Sequence, residues 1–351
     1  MAETARQPKQ FVVLNDFNAV CCLLVILHHT FSALVSSADP ASPAGIALFF
    51  PWILAHIAVP GFIFVSGFKL GLAHVRRTEA PYLTYIGRRL KKLYLPYLAW
   101  NLIYYLCFMP IGYVQGTAPD LLRYLWFGNL SAQFYFVPAI LHFYLLRPLW
   151  NYLADRVSWR LAVPGSFLVM LLSIAGLDRL SLRFPGIGPY RGMMVVSFLF
   201  YWVLGLCAGH HYEKLAGFRF SSAARLAAAG IVLLHLALSF RQFYTGTDIA
   251  LLRLVVKPLF NAAAIFFVLS LCQRTASSFR RLKDRVYAAS LSVFFSHCLF
   301  LTLGAVLLQR LGITRLLPLL AGRAAAAYVC PFVLYFAWAA LRRRAKQLHR
   351  I

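Results

Sequence analysis

Acidic residues are scarce in this sequence: 10 Asp and Glu stand against 35 Lys and Arg among 351 residues. Charge of either sign is scarce too, at 13% of the chain, where a soluble domain carries about 25%. A soluble cytoplasmic enzyme, a DNA-binding protein and a disordered scaffold are thereby excluded, since each needs a charged or polar surface. The seven Cys (21, 22, 107, 207, 272, 298 and 330) include no CxxC pair, and all lie in or beside apolar runs. They predict reduced packing residues rather than a disulfide framework or a zinc site, and no metal is assigned. Internal repeats, heptad seams and Pro-rich tracts are also missing, and no composition shift marks a separate soluble domain. A single membrane domain over residues 1–351 is expected.

What the chain has is apolar surface, 61% of its residues, with a mean hydropathy of +0.70. At roughly 20 residues per span, runs near 14–36, 46–73, 93–114, 131–152, 159–177, 189–211, 223–240, 255–272, 288–309 and 317–340 predict an all-α bundle of about ten transmembrane helices. The first run is too long for a removable signal peptide and reads as a retained signal anchor. A net charge of +25 would suggest nucleic acid in a soluble protein. Here it reads as a topology signal, so the expected partner is the bilayer and not nucleic acid. With the N-terminus inside, the inner segments collect 23 Lys and Arg and the outer ones 9, which predicts two cytoplasmic termini. The basic inner connection 74–92 reads as an amphipathic segment on the anionic inner leaflet.

Polar groups inside spans cost roughly 2–3 kcal/mol at mid-depth and are functional candidates by default. The first span holds Asp16, Asn18, His28 and His29. Eleven residues separate Asn18 from His29, leaving about 20° after three turns, so the two share one face about 16 Å apart. His28 points roughly 80° away. A polar group at the inner edge therefore sits below an imidazole near mid-depth.

These residues resemble a known family. Leu14-Asn15-Asp16-Phe17-Asn18-Ala19-Val20 through Leu27-His28-His29-Thr30 is similar to the opening of the integral-membrane acyltransferase-3 family: an Asp-rich start, an Arg, ten residues, then a His. Val59-Pro60-Gly61-Phe62-Ile63-Phe64-Val65-Ser66-Gly67-Phe68 resembles its second span. Arg88-Arg89-Leu90-Lys91-Lys92-Leu93-Tyr94-Leu95-Pro96-Tyr97 resembles the start of its third. Tyr135-Phe136-Val137-Pro138-Ala139-Ile140-Leu141 with Tyr144 resembles its fourth, and Ala289-Ser290-Leu291-Ser292-Val293-Phe294-Phe295-Ser296-His297 its ninth. Five stretches in the family's order cover almost the whole chain. One departure stands out: the family's Arg is Asn18 here.

The resemblance implies a bacterial inner-membrane O-acyltransferase. It would move an acyl group, mostly acetyl from cytoplasmic acetyl-CoA, onto a hydroxyl of an envelope saccharide or glycolipid. His29 is then the candidate general base, an imidazole suited to taking a hydroxyl proton near neutral pH. Asn18, His28, Ser66 and His297 are supporting candidates. His28 is read as an orienting neighbour, and Ser66 with Gly67 as a break in the second span at a close helix contact. Arg88, Arg89 and Lys91 are candidates for the coenzyme phosphates, and Tyr135 for substrate contact. His210, His211, His56, His142 and His235 show no repeated spacing on partner spans, which argues against haem. The alternative is an exporter or flippase for a saccharide or lipid-linked intermediate. A homodimer or an envelope partner protein is left open, and any final step needing an esterase-like domain would fall to a partner.

Overall fold

The computed structural model describes residues 9–215 and 221–348. Both chain ends, with Arg6 and Arg350, and Arg219 of a connection expected on the inner side lie outside the described residues. Among those described, the chain is helical with no strand. The helices in order are α1 (Lys9–Ser37), α2 (Pro43–Leu54), α3 (Ala58–Val75), α4 (Tyr82–Arg89), α5 (Leu95–Phe108), α6 (Ala118–Phe127), α7 (Phe136–Leu145) and α8 (Arg147–Arg156). They continue as α9 (Trp159–Arg183), α10 (Leu199–His210), α11 (Tyr212–Leu215), α12 (Ser222–Thr245), α13 (Lys257–Arg274), α14 (Arg280–Arg310), α15 (Leu316–Ala324) and α16 (Cys330–Leu348).

Seven stretches among the described residues are long and apolar enough to cross a membrane: Val12–Ser37, Pro43–Val75, Trp159–Arg183, Ser222–Thr245, Leu252–Arg274, Arg280–Arg310 and Leu316–Ala345. Each coincides with an expected span. The other three expected spans fall on shorter helices, for local reasons. Pro110 follows the end of α5 at Phe108, and the run 131–152 divides where Pro148 forces a restart after Leu145. The run 189–211 opens within the 3₁₀ turns Pro185–Met193 and Val195–Phe198, and α10 starts only at Leu199. Exposed leucines such as Leu168, Leu172, Leu226 and Leu233 on α9 and α12 form a lipid-facing surface, so this is a multi-pass membrane protein.

Proline also shapes the helices from inside. Three single π turns, Leu90–Tyr94, Leu252–Val256 and Ala325–Val329, each end two residues before a proline (Pro96, Pro258, Pro331). A proline cannot donate to the carbonyl four residues back and presses its ring on it, so the preceding turn widens to pass it. At Pro60 the chain instead tightens into a 3₁₀ turn over Ala55–Ile57. The interruption of the second span therefore lies at 55–57. α3 runs unbroken through Ser66 and Gly67, which corrects the expected break there.

The chain divides into two compact units. The first comprises Met1–Ala58 and Ala264–Ile351, the second Val59–Ala263. In the first, α1 packs along α14 and against α2, while α15 and α16 pack on α14. Cross-links tie α1 in place: Cys22 donates to the Ser290 carbonyl at 3.7 Å, Tyr328 to that of Leu23 at 2.9 Å, and Arg323 to that of Thr30 at 3.2 Å.

In the second unit, α3 and α10 meet through paired glycines. A Cβ on Gly67 or Gly71 would run into the carbonyls of Trp202 and Leu206, and one on Gly205 or Gly209 into those of Phe64 and Phe68. Gly67/Gly71 and Gly205/Gly209 are two small-xxx-small pairs facing each other, the arrangement that lets membrane helices touch backbone to backbone. Beside them Phe143 stacks on Trp202 with ring centroids 4.6 Å apart, and Trp150 Nε1 donates to the Phe143 carbonyl at 2.7 Å.

Candidate active site

His29 lies on α1 eight residues before its end, half-buried. Its ring faces His28 at 5.2 Å and His297 of α14 at 5.4 Å between centroids. His28 in turn lies 4.8 Å from His56 and stacks on Trp52 at 5.7 Å. Four imidazoles thus run in sequence, His297, His29, His28 and His56, all within the first unit. The 3₁₀ turn before Pro60 is what carries His56 to this place.

His297 is fully buried, and its geometry fixes its tautomer. Nδ1 lies 3.0 Å from the Val293 carbonyl and 2.9 Å from that of Phe294. Carbonyls only accept, so Nδ1 carries the proton and Nε2 keeps its lone pair. Nε2 accepts from the Cys298 thiol at 3.3 Å. One nitrogen each from His29 and His297 and the Cys298 sulfur lie within 4.8 Å of one another. A ring oriented by two backbone carbonyls resists rotation and keeps Nε2 as an acceptor.

The N-terminal part of α1 is polar as expected, and its partners come from the first turn of α14, ahead of the 289–297 stretch. Asp16, 1% exposed, pairs with Arg280 at 2.6 Å and Lys283 at 3.3 Å, both on the first turn of α14. Arg280 also pairs with Asp284 at 2.6 Å. Asn18 is half-buried two residues away.

The second unit holds a basic pocket of about 350 Å³, within the roughly 300–1,000 Å³ of small-molecule sites. Lys69, Arg88, Arg89, Lys92 and Arg147 line it together with Glu79 and Tyr85. Of the candidates for the coenzyme phosphates, Arg88 and Arg89 line this pocket, Lys91 does not, and Lys92 does. The arginines are held by aromatic faces. Arg89 lies 5.0 Å above Tyr85 and 4.6 Å above Tyr144, and Arg147 lies 4.8 Å above Tyr85 while donating to the Ala80 carbonyl at 2.8 Å. Tyr144 raises the pKa of Arg89 further, and burial pushes the Tyr85 phenol up, so the pair stays cation and neutral phenol. The π turn Leu90–Tyr94 lies immediately after Arg89 and carries Lys92.

The two remaining candidates lie in the same unit. Ser66 accepts from the Tyr144 hydroxyl at 3.4 Å, and Tyr135 stacks on Phe198 at 6.4 Å. Sequence reasoning missed Cys298, Arg280, Lys283, Lys69 and Arg147. The last two carried a signal, each being a basic residue within an expected span.

A family model described as an acyltransferase domain matches residues 17–342. It takes in every residue of both clusters except Asp16. No curated protein and no solved structure matches the chain.

Proposed function

This chain belongs to the acyltransferase-3 family, and from that premise we propose that it O-acetylates an envelope saccharide or glycolipid, with cytoplasmic acetyl-CoA as donor. The observation that carries the reading is His29, a half-buried imidazole on the first membrane helix beside a histidine whose tautomer is locked. His29 takes the proton of the acceptor hydroxyl as its oxygen attacks the thioester carbonyl. The C–O bond forms, the C–S bond breaks, and the proton passes to the departing thiolate. Arg88, Arg89, Lys92, Lys69 and Arg147 receive the phosphates of the coenzyme, because guanidinium groups offer paired donors that match phosphate oxygens. Excess positive charge in that pocket, five cations against Glu79, supports an anionic ligand.

In this reading the protein sits in a bacterial inner membrane with ten spans and both termini cytoplasmic. Reporter fusions should place residue 351 inside and the loop 36–43 outside; the reverse would overturn the orientation. Mass spectrometry of envelope glycans from cells with and without the gene tests the activity. An acetyl group lost from one glycan in the deletion strain is expected. Unchanged acylation with an unmodified lipid-linked intermediate trapped inside would instead favour an exporter.

A further inference from the structure

The triad of ligand atoms beside the proposed base has a use of its own. His29 and His297 each offer an imidazole nitrogen, and Cys298 offers sulfur, all within 4.8 Å. Around a common metal ion, bond lengths of about 2.0–2.1 Å to nitrogen and 2.3 Å to sulfur set ligand atoms roughly 3.3–3.8 Å apart. The His297–Cys298 pair already stands at 3.3 Å, so only His29 has to close, by about 1 Å. Its half-exposed side chain is the one with room to do so. His297 is prepared as a ligand: its Nδ1 proton is engaged by two backbone carbonyls, the outer-shell arrangement that orients metal-bound imidazoles. Two imidazoles with one thiolate form a trigonal set that soft ions favour. Charge then selects among those ions. A monovalent cation with one thiolate and two neutral imidazoles leaves a net charge of zero, whereas Zn²⁺ leaves +1 within a membrane helix bundle, where net charge is costly.

We propose that His29, His297 and Cys298 form a three-coordinate site for Cu(I), and that its occupancy switches the enzyme off by capping His29. Binding breaks the Cys298 S–H bond, forms one Cu–S and two Cu–N bonds, and releases one proton to solvent. Copper arrives and stays as Cu(I), so nothing is oxidised or reduced. The inhibitory half rests on His29 being the base; the binding half does not.

Full-length protein in detergent, kept anaerobic, is titrated against the coloured Cu(I)–bicinchoninate complex, and metal transfer is followed by the loss of colour. One equivalent should move to the wild type. Cys298→Ser and His297→Ala should each weaken that equivalent by at least about 100-fold, more than the loss of an outer-shell partner costs. Cys22→Ser, a buried thiol elsewhere on α1, should keep it. Should Cys298→Ser fail to elute as folded protein, X-ray absorption of the wild-type complex decides, with one sulfur and two nitrogens expected. No transfer, an equivalent untouched by the variants, or a sulfur-only shell would overturn the site while leaving the role of His29 standing. In acyl-transfer assays, each protein scaled to its own metal-free rate, Cu(I) should inhibit the wild type and spare Cys298→Ser. Copper bound at the triad with transfer undiminished would overturn the inhibitory half and count against His29 as base.

Discussion

Replacing His29 by alanine separates chemistry from packing more cleanly than any other change in this chain. The ring touches His28 and His297 by ring contacts at 5.2 and 5.4 Å and makes no hydrogen bond among the described residues. It is half-buried, so truncation removes about half of a full side-chain burial, roughly 1 kcal/mol. No buried partner is left unsatisfied, because His297 keeps its carbonyl contacts and its Cys298 donor. A positioned base, by contrast, contributes about 10²–10⁴-fold in rate, or roughly 2.7–5.5 kcal/mol of barrier. Acetyl transfer from labelled acetyl-CoA to extracted acceptor glycan, measured on purified protein, should fall by that factor while melting in detergent shifts by only a few degrees. His28→Ala should cost less rate, since His28 rests on Trp52 and His56 instead. The reasoning fails if His29→Ala, melting like the wild type, acylates at the wild-type rate.

Reversing two charges with Arg88→Glu and Arg89→Glu should weaken acetyl-CoA binding, and the residual affinity should lose much of its salt dependence; unchanged binding by correctly inserted protein would remove the pocket from the donor site. Gly205→Leu places a side chain against the Phe64 carbonyl and should destabilise by about 1–3 kcal/mol or more, whereas Gly230→Ala, with open space around its Cα, should be neutral or slightly stabilising. Equal melting temperatures for these two variants would refute the backbone contact between α3 and α10.

The long spans were legible because an apolar run above about 18 residues has few alternatives. The expected spans that fall on shorter helices lie where proline interrupts. Pro148 splits one run and Pro110 shortens another, and neither effect changes the hydropathy of the segment. Proline positions were equally visible before the three π turns, but the response of a helix to proline is a kink, a widening or a tightening, and neighbours decide which. Gly67/Gly71 and Gly205/Gly209 carry a recognisable spacing that the sequence reading passed over. What no spacing shows is that the two pairs face each other. Among site residues, His29, Arg88 and Arg89 could be found because each stands in a local motif. The triad could not, since 268 residues separate His29 from the adjacent pair His297 and Cys298. That assembly exists only because α1 packs along α14.

The same helix pair bears on the departure from the family pattern. The family's arginine would bring one positive charge to the inner end of α1, and here that position is Asn18. At the start of α14, Arg280 and Lys283 both pair with Asp16, and Arg280 pairs with Asp284 as well. Asp16 is buried at 1% exposure while Arg280 keeps 29%, so the carboxylate needs its partners more than they need it. Stripping both cations from Asp16 to bind a phosphate would leave a buried anion uncompensated, a loss of roughly 3–5 kcal/mol that exceeds the roughly 1.5–3 kcal/mol of a charge-assisted hydrogen bond. These cations therefore hold α1 against α14 rather than hold a ligand. Surplus positive charge lies instead in the pocket of Lys69, Arg88, Arg89, Lys92 and Arg147, where Glu79 is the one carboxylate among the lining residues. In the proposed reading, with Asn18 in place of that arginine, the pocket of five cations is where the chain meets its anionic donor.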